Sequence, residues 1–195
     1  MKNDIILAGV GGQGILSIAA IIGYAAVDSG LYLKQAEVHG MSQRGGDVQS
    51  HLRISDKEIY SDLIQGGSAK LILSVEPMES LRYLPYLAEK GWLITNSKPF
   101  INIPNYPKEE AVMKEIRALP FHIVMNADQM AKDIGAPRAM NMVMLGAGSP
   151  LIDVSYEKLQ EGIRFIFSRK GEAVVDSNLK ALEIGRAFAQ EKINS

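Results

Sequence analysis

The chain alternates short apolar runs with longer segments in which apolar residues recur at helical spacing. The short runs predict buried strands at residues 4–8, 31–37, 69–75, 91–96 and 121–125. The longer segments predict helices at residues 15–29, 76–90, 109–118, 128–134, 137–147, 155–169 and 177–193. Strands that alternate with helices are typical of layered α/β folds. We therefore expect a Rossmann-like fold with a mainly parallel sheet and a helical carboxy-terminal part.

The amino-terminal segment has the order strand, glycine-rich loop, helix and strand. The loop occupies residues 9–14, the helix runs over residues 15–29, and Gly30 is placed to end it in a left-handed conformation. This order predicts that strands 4–8 and 31–37 form a parallel pair joined by a right-handed crossover.

Two later segments add a hairpin and a flap. Residues 48–54 alternate apolar and polar side chains, and a turn at 55–58 predicts a β-hairpin with residues 59–60. Residues 97–120 contain four prolines and a polar stretch, which indicates an excursion from the sheet. A length of 195 residues suits one domain, so we expect a single domain over residues 1–195.

Composition excludes several classes of function. Lysine and arginine total 21 against 22 acidic residues, so we expect no nucleic-acid partner. The chain has no cysteine, which excludes a cysteine-ligated iron–sulfur cluster, a disulfide or a catalytic thiol within it and is consistent with a cytoplasmic location. Residues 5–27 are uncharged, but their glycines divide the stretch, so we expect no membrane span.

The first predicted helix is apolar on nearly every face. Between Ile15 and Val27 only Ser17 is plainly polar, and a helix that is apolar all round is buried on all sides. Either the carboxy-terminal helices or another subunit could cover it, and the sequence leaves both alternatives open.

The glycine-rich loop matches the spacing G-x-G-x-x-G of dinucleotide-binding folds. Glycines allow positive φ angles and a close approach of backbone N–H groups to a ligand, and a helix N-terminus favours an anion. Glu37 lies about 20 residues further on, where an acid binds a ribose in that fold. The alternative is a tight turn that only permits close helix–sheet packing. Candidate ligand- or partner-binding residues of this region are Gly9, Gly11, Gly12, Gln13, Gly14 and Glu37.

A second polar loop follows Glu37 directly and is foreign to the dinucleotide pattern. It places a titratable ring, an amide and a fixed cation close together, and these groups could contact a carboxylate, a phosphate or a partner surface. The candidate residues here are His39, Gln43, Arg44 and Gly45. A structural role for His39 is the simpler alternative. The three histidines, at 39, 51 and 122, have no metal-ligand spacing, so we expect no metal.

The two loops together resemble a known family. Gly9-Val-Gly-Gly-Gln-Gly14, followed by Glu37-Val-His-Gly-Met-Ser-Gln-Arg-Gly-Gly46, is similar to the gamma-type component of 2-oxoacid:ferredoxin oxidoreductases. The second stretch is typical of the indolepyruvate branch. EPMESLRYLPYL (76–87) and GWLITNSKP (91–99) strengthen the match.

The resemblance implies a division of labour between chains. A large alpha subunit would carry thiamine diphosphate and 4Fe-4S clusters, and the complex would oxidatively decarboxylate arylpyruvates in amino-acid catabolism, forming acyl-coenzyme A and passing electrons to ferredoxin. This chain would be a non-redox accessory subunit, inactive alone. We expect the N–H groups of residues 11–14 to bind an anion or a partner carbonyl, Gln13 to hydrogen-bond and Arg44 to recognise charge; no catalytic acid or base is assigned.

Three other functions stay open at this point. The chain could be the gamma subunit of an enzyme for pyruvate, a branched-chain 2-oxoacid or 2-oxoglutarate. It could be a free-standing NAD-dependent dehydrogenase, or a non-enzymatic module that binds a nucleotide or coenzyme A.

Overall fold

The computed structural model describes residues 1–40, 45–101 and 103–194, without the side chain of His39. Six strands form one sheet: β1 (Lys2–Val10), β2 (Tyr32–His39), β3 (Asp47–Ser55), β4 (Ala69–Ser74), β5 (Leu87–Asn96) and β6 (His122–Met125). The helices described are α1 (Ile15–Asp28), α2 (Pro77–Arg82), α3 (Glu109–Arg117), α4 (Ala127–Asp133), α5 (Met140–Gly148), α6 (Tyr156–Phe167) and α7 (Glu172–Ile193). The predicted α/β class with a helical carboxy-terminal part is confirmed.

The sheet has the order β2-β3-β1-β4-β5-β6 and is mainly parallel. β1, β4, β5 and β6 pair in parallel, whereas β3 runs antiparallel to both β1 and β2. The prediction that β1 and β2 form an adjacent parallel pair is therefore wrong, because β3 lies between them. The crossover through α1 spans two strand positions and leaves room for β3.

The hairpin exists, but its strands differ from those predicted. β2 and β3 pair antiparallel from Tyr32 opposite Ser55 to His39 opposite Val48. Residues 59–60 form no strand, because β1 and β2 already occupy both edges of β3. The segment after β3 is instead held by side chains: the Arg53 guanidinium donates to Ser61 O at 2.9 Å.

The helix predicted over residues 76–90 is much shorter than expected. α2 ends at Arg82, a 3₁₀ turn follows at Leu84–Tyr86, and β5 begins at Leu87. Pro85 lies in the middle of the predicted helix, where it lacks an N–H group and disfavours helical geometry at the residue before it. A proline therefore ends α2 early and lengthens β5.

Apolar side chains cover both faces of the sheet. Alternate residues of β1 point to opposite faces, so Ile5 and Leu7 join the core beneath α1, α5, α6 and α7, while Ile6 and Ala8 join a smaller core with residues of α3. All four side chains are buried. The central strands are thus buried on both faces, as in other parallel sheets.

Within this chain helix α1 is covered on its inner face only, so the alternative that another subunit covers its outer face stays open. Its inner face packs on the sheet and α6, where a Cβ at Gly162 would lie 3.1 Å from Ile21 O. Its outer face leaves Leu16 46% and Val27 62% exposed. Gly30, at φ +72°, ends the helix segment in the left-handed conformation as predicted. Among the described residues, no helix has the length and apolar character that crossing a membrane requires.

Candidate functional site at the carboxyl edge of the sheet

The glycine loop (residues 9–14) joins β1 to α1 where the parallel strands end. Gly12 and Gly14 have φ angles of +99° and +83°, which L side chains rarely adopt. A Cβ at Gly9 would stand 2.4 Å from the Val75 Cγ2 atom at the end of β4. The turn itself therefore favours glycine at these three positions, whether or not a ligand binds.

Gln13 ties the ends of two adjacent strands together. Its side-chain oxygen accepts the Val10 backbone N–H at 2.8 Å, and its side-chain nitrogen lies 3.5 Å from Val75 O, at the outer limit of a hydrogen bond. Both ends of the amide thus have partners within the chain, which assigns Gln13 a structural role in the loop.

Backbone bonds connect the first loop to the second. The Gly11 N–H donates to Gly46 O at 2.8 Å, and the Gln13 N–H donates to Val10 O at 3.2 Å. Two of the four N–H groups expected to bind an anion are therefore used inside the chain. A ligand role for those of Gly12 and Gly14 stays a prediction.

The two ends of the second loop, at Gly40 and Asp47, are in contact at the start of β3. The Gly40 N–H donates to Asp47 O at 2.8 Å, and a Cβ at Gly40 would stand 2.7 Å from the Asp47 carboxylate. Gly45 has a φ of +82°. Gln43, Arg44 and the side chain of His39 lie outside the described residues, so their expected contacts remain predictions.

Glu37 is poorly placed to bind a ribose at the glycine loop. It lies on β2 opposite Ser50, and its carboxylate accepts a hydrogen bond from the Gln35 amide. Because β3 separates β2 from β1, Glu37 is about 10 Å across the sheet from the strand that carries the loop. The dinucleotide fold needs these two strands side by side, so the inserted strand argues against the nicotinamide hypothesis.

Sequence reasoning missed Glu76, a fully buried carboxylate two residues after the end of β4. One oxygen accepts the Glu79 N–H at 2.8 Å and thereby caps α2. The other accepts the Phe100 N–H at 3.2 Å and the Tyr106 hydroxyl at 2.5 Å. Burial and the bond to Glu76 raise the pKa of Tyr106. The sequence signal that could have identified Glu76 is a charged residue that follows a predicted buried strand.

Asn96, at the end of β5, completes the set of contacts along this edge. Its amide nitrogen donates to Asp128 at 2.8 Å and to Val75 O at 3.4 Å, and its oxygen accepts the Ala127 N–H at 3.1 Å. Asp128 also lies 3.5 Å from the Lys98 ammonium. Val75 O thus receives side-chain amides from both Gln13 and Asn96, which fixes the glycine loop relative to β5.

Two ionisable residues, one in α2 and one directly after it, have raised pKa values. Burial raises the pKa of Glu79, against the opposing effect of Arg82 at 2.7 Å. Burial also raises the pKa of Tyr83 to about 12. In the part of the chain that the structure describes, no group of three histidine or acidic side chains is arranged to hold a metal ion.

A cavity of about 620 Å³ opens beside the start of α1, between the α4–α5 connection and α7. Arg138 and Lys170 supply positive charge to its wall, and Ser17 and Asn141 supply polar groups. The Asn141 amide donates to Gly14 O at 3.2 Å, so the cavity adjoins the glycine loop. Cations and amide groups of this kind suit an anionic ligand.

Known proteins are similar to this chain along nearly its whole length. The family model for pyruvate ferredoxin/flavodoxin oxidoreductase matches residues 4–188. The indolepyruvate oxidoreductase subunit IorB of Pyrococcus horikoshii is 36% identical over 204 residues, which cover 99% of this chain and 98% of that protein.

Two solved structures share the fold. The gamma subunit of a keto/oxoacid ferredoxin oxidoreductase from Geobacter sulfurreducens superposes with a TM-score of 0.70 at 27% identity, over 97% of this chain and 99% of that chain. The 2-oxoglutarate:ferredoxin oxidoreductase of Magnetococcus marinus, solved with 2-oxoglutarate, coenzyme A and succinyl-CoA bound, gives 0.78 at 26% identity, over 97% of this chain and 31% of that chain. The match of the family model and the near full-length relative confirm the resemblance of the two loops: the chain belongs to the pyruvate ferredoxin/flavodoxin oxidoreductase family.

Proposed function

We propose that this chain is the accessory, non-redox subunit of an indolepyruvate-type 2-oxoacid:ferredoxin oxidoreductase. The observation that carries the proposal is the near full-length similarity to an indolepyruvate oxidoreductase subunit. The absence of cysteine supports the non-redox role, because this chain has no thiolate with which to hold a cluster. We place the protein in the cytoplasm as a single domain over residues 1–195, acting in amino-acid catabolism.

The partner of this chain is a large alpha subunit, which holds thiamine diphosphate and 4Fe-4S clusters. Thiamine diphosphate supplies the electron sink for decarboxylation of the arylpyruvate, and the clusters pass electrons to ferredoxin. This chain supplies a fixed binding surface. The Gly11–Gly46 backbone hydrogen bond and the side-chain amides of Gln13 and Asn96 hold the loops at the carboxyl edge of the sheet in place. In this proposal His39, Gln43 and Arg44 of the second loop recognise the partner or its ligands.

Coenzyme A is the co-substrate, and we place its anionic groups at the cavity beside the glycine loop. Arg138 and Lys170 would attract phosphate there, and Asn141 holds the loop against the cavity wall. The expected result of Lys170→Ala is a higher KM for coenzyme A with an unchanged KM for the 2-oxoacid. An unchanged KM for coenzyme A in both Lys170→Ala and Arg138→Ala would place coenzyme A elsewhere.

Reconstitution tests the division of labour. The chain is co-expressed with the large subunit, and arylpyruvate-dependent viologen reduction is measured for each subunit alone and for both together. Only the pair is expected to turn over. Turnover by this chain alone would refute the proposal, and a panel of pyruvate, branched-chain 2-oxoacids and 2-oxoglutarate would show whether arylpyruvates are preferred.

A further inference from the structure

The cavity beside the glycine loop contains two positive charges that the fold leaves available. Arg138 lies in the α4–α5 connection, and Lys170 lies just before α7. The Lys170 ammonium is 5.1 Å from the centre of the Phe167 ring, which holds it at the cavity wall. Within the described part of the chain neither cation forms an ion pair. Both charges can therefore bind an anionic group of a ligand.

Two buried asparagines supply hydrogen-bond acceptors to the same cavity. Asn141 of α5 and Asn178 of α7 line it and are 9% and 8% exposed. The amide nitrogen of Asn178 donates to Val174 O at 2.7 Å, and that of Asn141 donates to Gly14 O at 3.2 Å. Among the described residues, no group donates to either side-chain carbonyl oxygen. Because buried polar atoms are normally paired, these oxygens favour a ligand that brings N–H donors.

The size and the remaining walls of the cavity narrow the class of ligand. A volume of about 620 Å³ lies within the range of roughly 300–1,000 Å³ that is typical of cofactor sites, and a free amino acid would fill little of it. Pro137, Ala173 and Val174 add apolar surface, which suits a flat ring. The ligand thus needs an anionic group, a flat ring and an amino group, and an adenine nucleotide has all three.

Guanine fits the two amide oxygens less well than adenine. At the position of the adenine amino group, guanine has a carbonyl oxygen, which accepts hydrogen bonds and does not donate them. Facing Asn141 and Asn178, that oxygen would leave all three acceptors without a donor, and unpaired buried polar groups are costly.

We propose that this cavity binds the adenosine-phosphate end of an adenine nucleotide. Arg138 and Lys170 bind the phosphate, and the side-chain oxygens of Asn141 and Asn178 accept hydrogen bonds from the adenine amino group. The proposal deepens the accessory-subunit function and rests on it for the source of the ligand. Coenzyme A ends in adenosine 3′-phosphate 5′-diphosphate, and a free adenine nucleotide offers the same chemistry.

Asn141 also connects this site to the glycine loop. Its nitrogen bonds to Gly14 O, and its oxygen is left for the ligand. Because Asn141 has this structural contact, its replacement would disturb the start of α1 as well as the cavity. Asn178 bonds only within its own helix, so it is the specificity-determining residue to test.

The experiment removes the proposed hydrogen bond from the ligand and from the protein in turn. The ligands are adenosine 3′,5′-bisphosphate and purine riboside 3′,5′-bisphosphate, which lacks only the amino group. The proteins are the full wild-type chain and Asn178→Leu, whose side chain has a similar size and no amide. Calorimetry gives the four dissociation constants. Lys170→Ala tests the cation, and Lys180→Ala, at an exposed position of α7, is its matched control.

The wild-type chain is expected to bind the adenosine compound about tenfold more tightly than the purine compound. In Asn178→Leu this preference should fall to about threefold, because only Asn141 then accepts from the amino group. Lys170→Ala should weaken both ligands about tenfold, and Lys180→Ala should weaken neither. Guanosine 3′,5′-bisphosphate should bind the wild-type chain at least about tenfold more weakly than the adenosine compound.

Competition in the complex with the large subunit identifies the source of the nucleotide. With coenzyme A as the ligand, adenosine 3′,5′-bisphosphate competes with it, and Asn178→Leu raises the KM for coenzyme A without changing kcat. Tight binding of adenosine 5′-diphosphate that leaves the KM for coenzyme A unchanged would instead assign the cavity to a free adenine nucleotide.

Three outcomes would overturn the adenine site and leave the accessory-subunit function standing. They are equal affinity of the wild-type chain for the adenosine and purine compounds, an undiminished preference in Asn178→Leu, and no binding of the adenosine compound by the chain or the complex. The first comparison needs no substitution, so it holds whatever the stability of Asn178→Leu. A wild-type chain that prefers adenine but fails to raise the turnover of the large subunit would refute the accessory function alone.

Discussion

Gly14 and Asn141 are in direct contact although they are far apart in the sequence. The Asn141 side-chain amide donates to Gly14 O at 3.2 Å, and a Cβ at Gly14 would stand 2.4 Å from the same nitrogen. Asn141 belongs to α5 and is buried. The start of α1 is therefore hydrogen-bonded to the carboxy-terminal helices. Both the amino-terminal strand and these helices fix the position of the glycine loop.

Alanine at Gly14 should destabilise the protein more than alanine at Gly12. Both residues have positive φ, which costs an alanine about 1 kcal/mol, but nothing lies within 4 Å of a Cβ at Gly12. At Gly14 the clash with Asn141 raises the expected loss in the free energy of unfolding to about 3 kcal/mol. Urea denaturation measures both, and Asn141→Ala in the Gly14→Ala background should recover part of the loss. Equal losses for the two glycines would contradict the contact.

Glycines 146 and 185 should be intolerant of alanine, because they allow α5 and α7 to cross closely. A Cβ at Gly146 would lie 2.0 Å from Leu182 O, and a Cβ at Gly185 would lie 1.9 Å from Val143 O. A backbone carbonyl cannot shift without moving the helix that carries it. Each alanine should therefore lower the free energy of unfolding by about 3 kcal/mol or more. Calorimetric melting is the measurement. Gly66→Ala is the control, since its Cβ would make only an ordinary contact at 3.5 Å.

Replacing Gln13 should weaken the fold even with no ligand present. Gln13→Ala leaves the part-buried Val10 N–H without its acceptor, which should cost about 1–2 kcal/mol. Gln13→Glu keeps an acceptor for Val10 but loses the weaker donation to Val75, so its loss should be smaller. Chemical denaturation of the isolated chain separates them. Wild-type stability of Gln13→Ala would instead favour a purely ligand-binding role for the amide.

The stability of the protein should fall as the pH drops below about 6.5, because of His51. Burial lowers the pKa of this ring below its usual 6.5, and its Nδ1 atom accepts the Ile64 N–H at 2.9 Å. The folded chain thus binds fewer protons than the unfolded chain, so the stabilising contribution is complete above pH 6.5 and is lost as the pH falls toward the lowered value.

Urea midpoints at about pH 7.5 and about pH 5.5 test this dependence. In His51→Gln, whose side-chain oxygen can still accept from Ile64, the loss between the two pH values should shrink. His122→Gln, in which His51 is intact, should keep the wild-type loss. An equal pH dependence in His51→Gln and the wild-type chain would assign it to other groups.

Local sequence patterns predicted the features that depend on neighbouring residues. The apolar runs that became β1 and β4 are too short for helices and are buried on both faces. Glycine at 12, 14 and 30 predicted positive φ, which only glycine adopts without cost. The predicted helix at 76–90 is too long for an equally local reason, because Pro85 disfavours helical geometry at the residue before it.

The sequence by itself therefore determined the α/β class, most element positions, the glycine turn and, through its loop motifs, the family. Only the tertiary structure decided that β3 lies between β1 and β2, because alternation along a strand defines its two faces but not its neighbours. The same holds for Glu76, whose hydrogen-bond partners Phe100 and Tyr106 are brought to it by the parallel strands. Contacts between distant residues depend on how whole elements pack, and no local pattern records that.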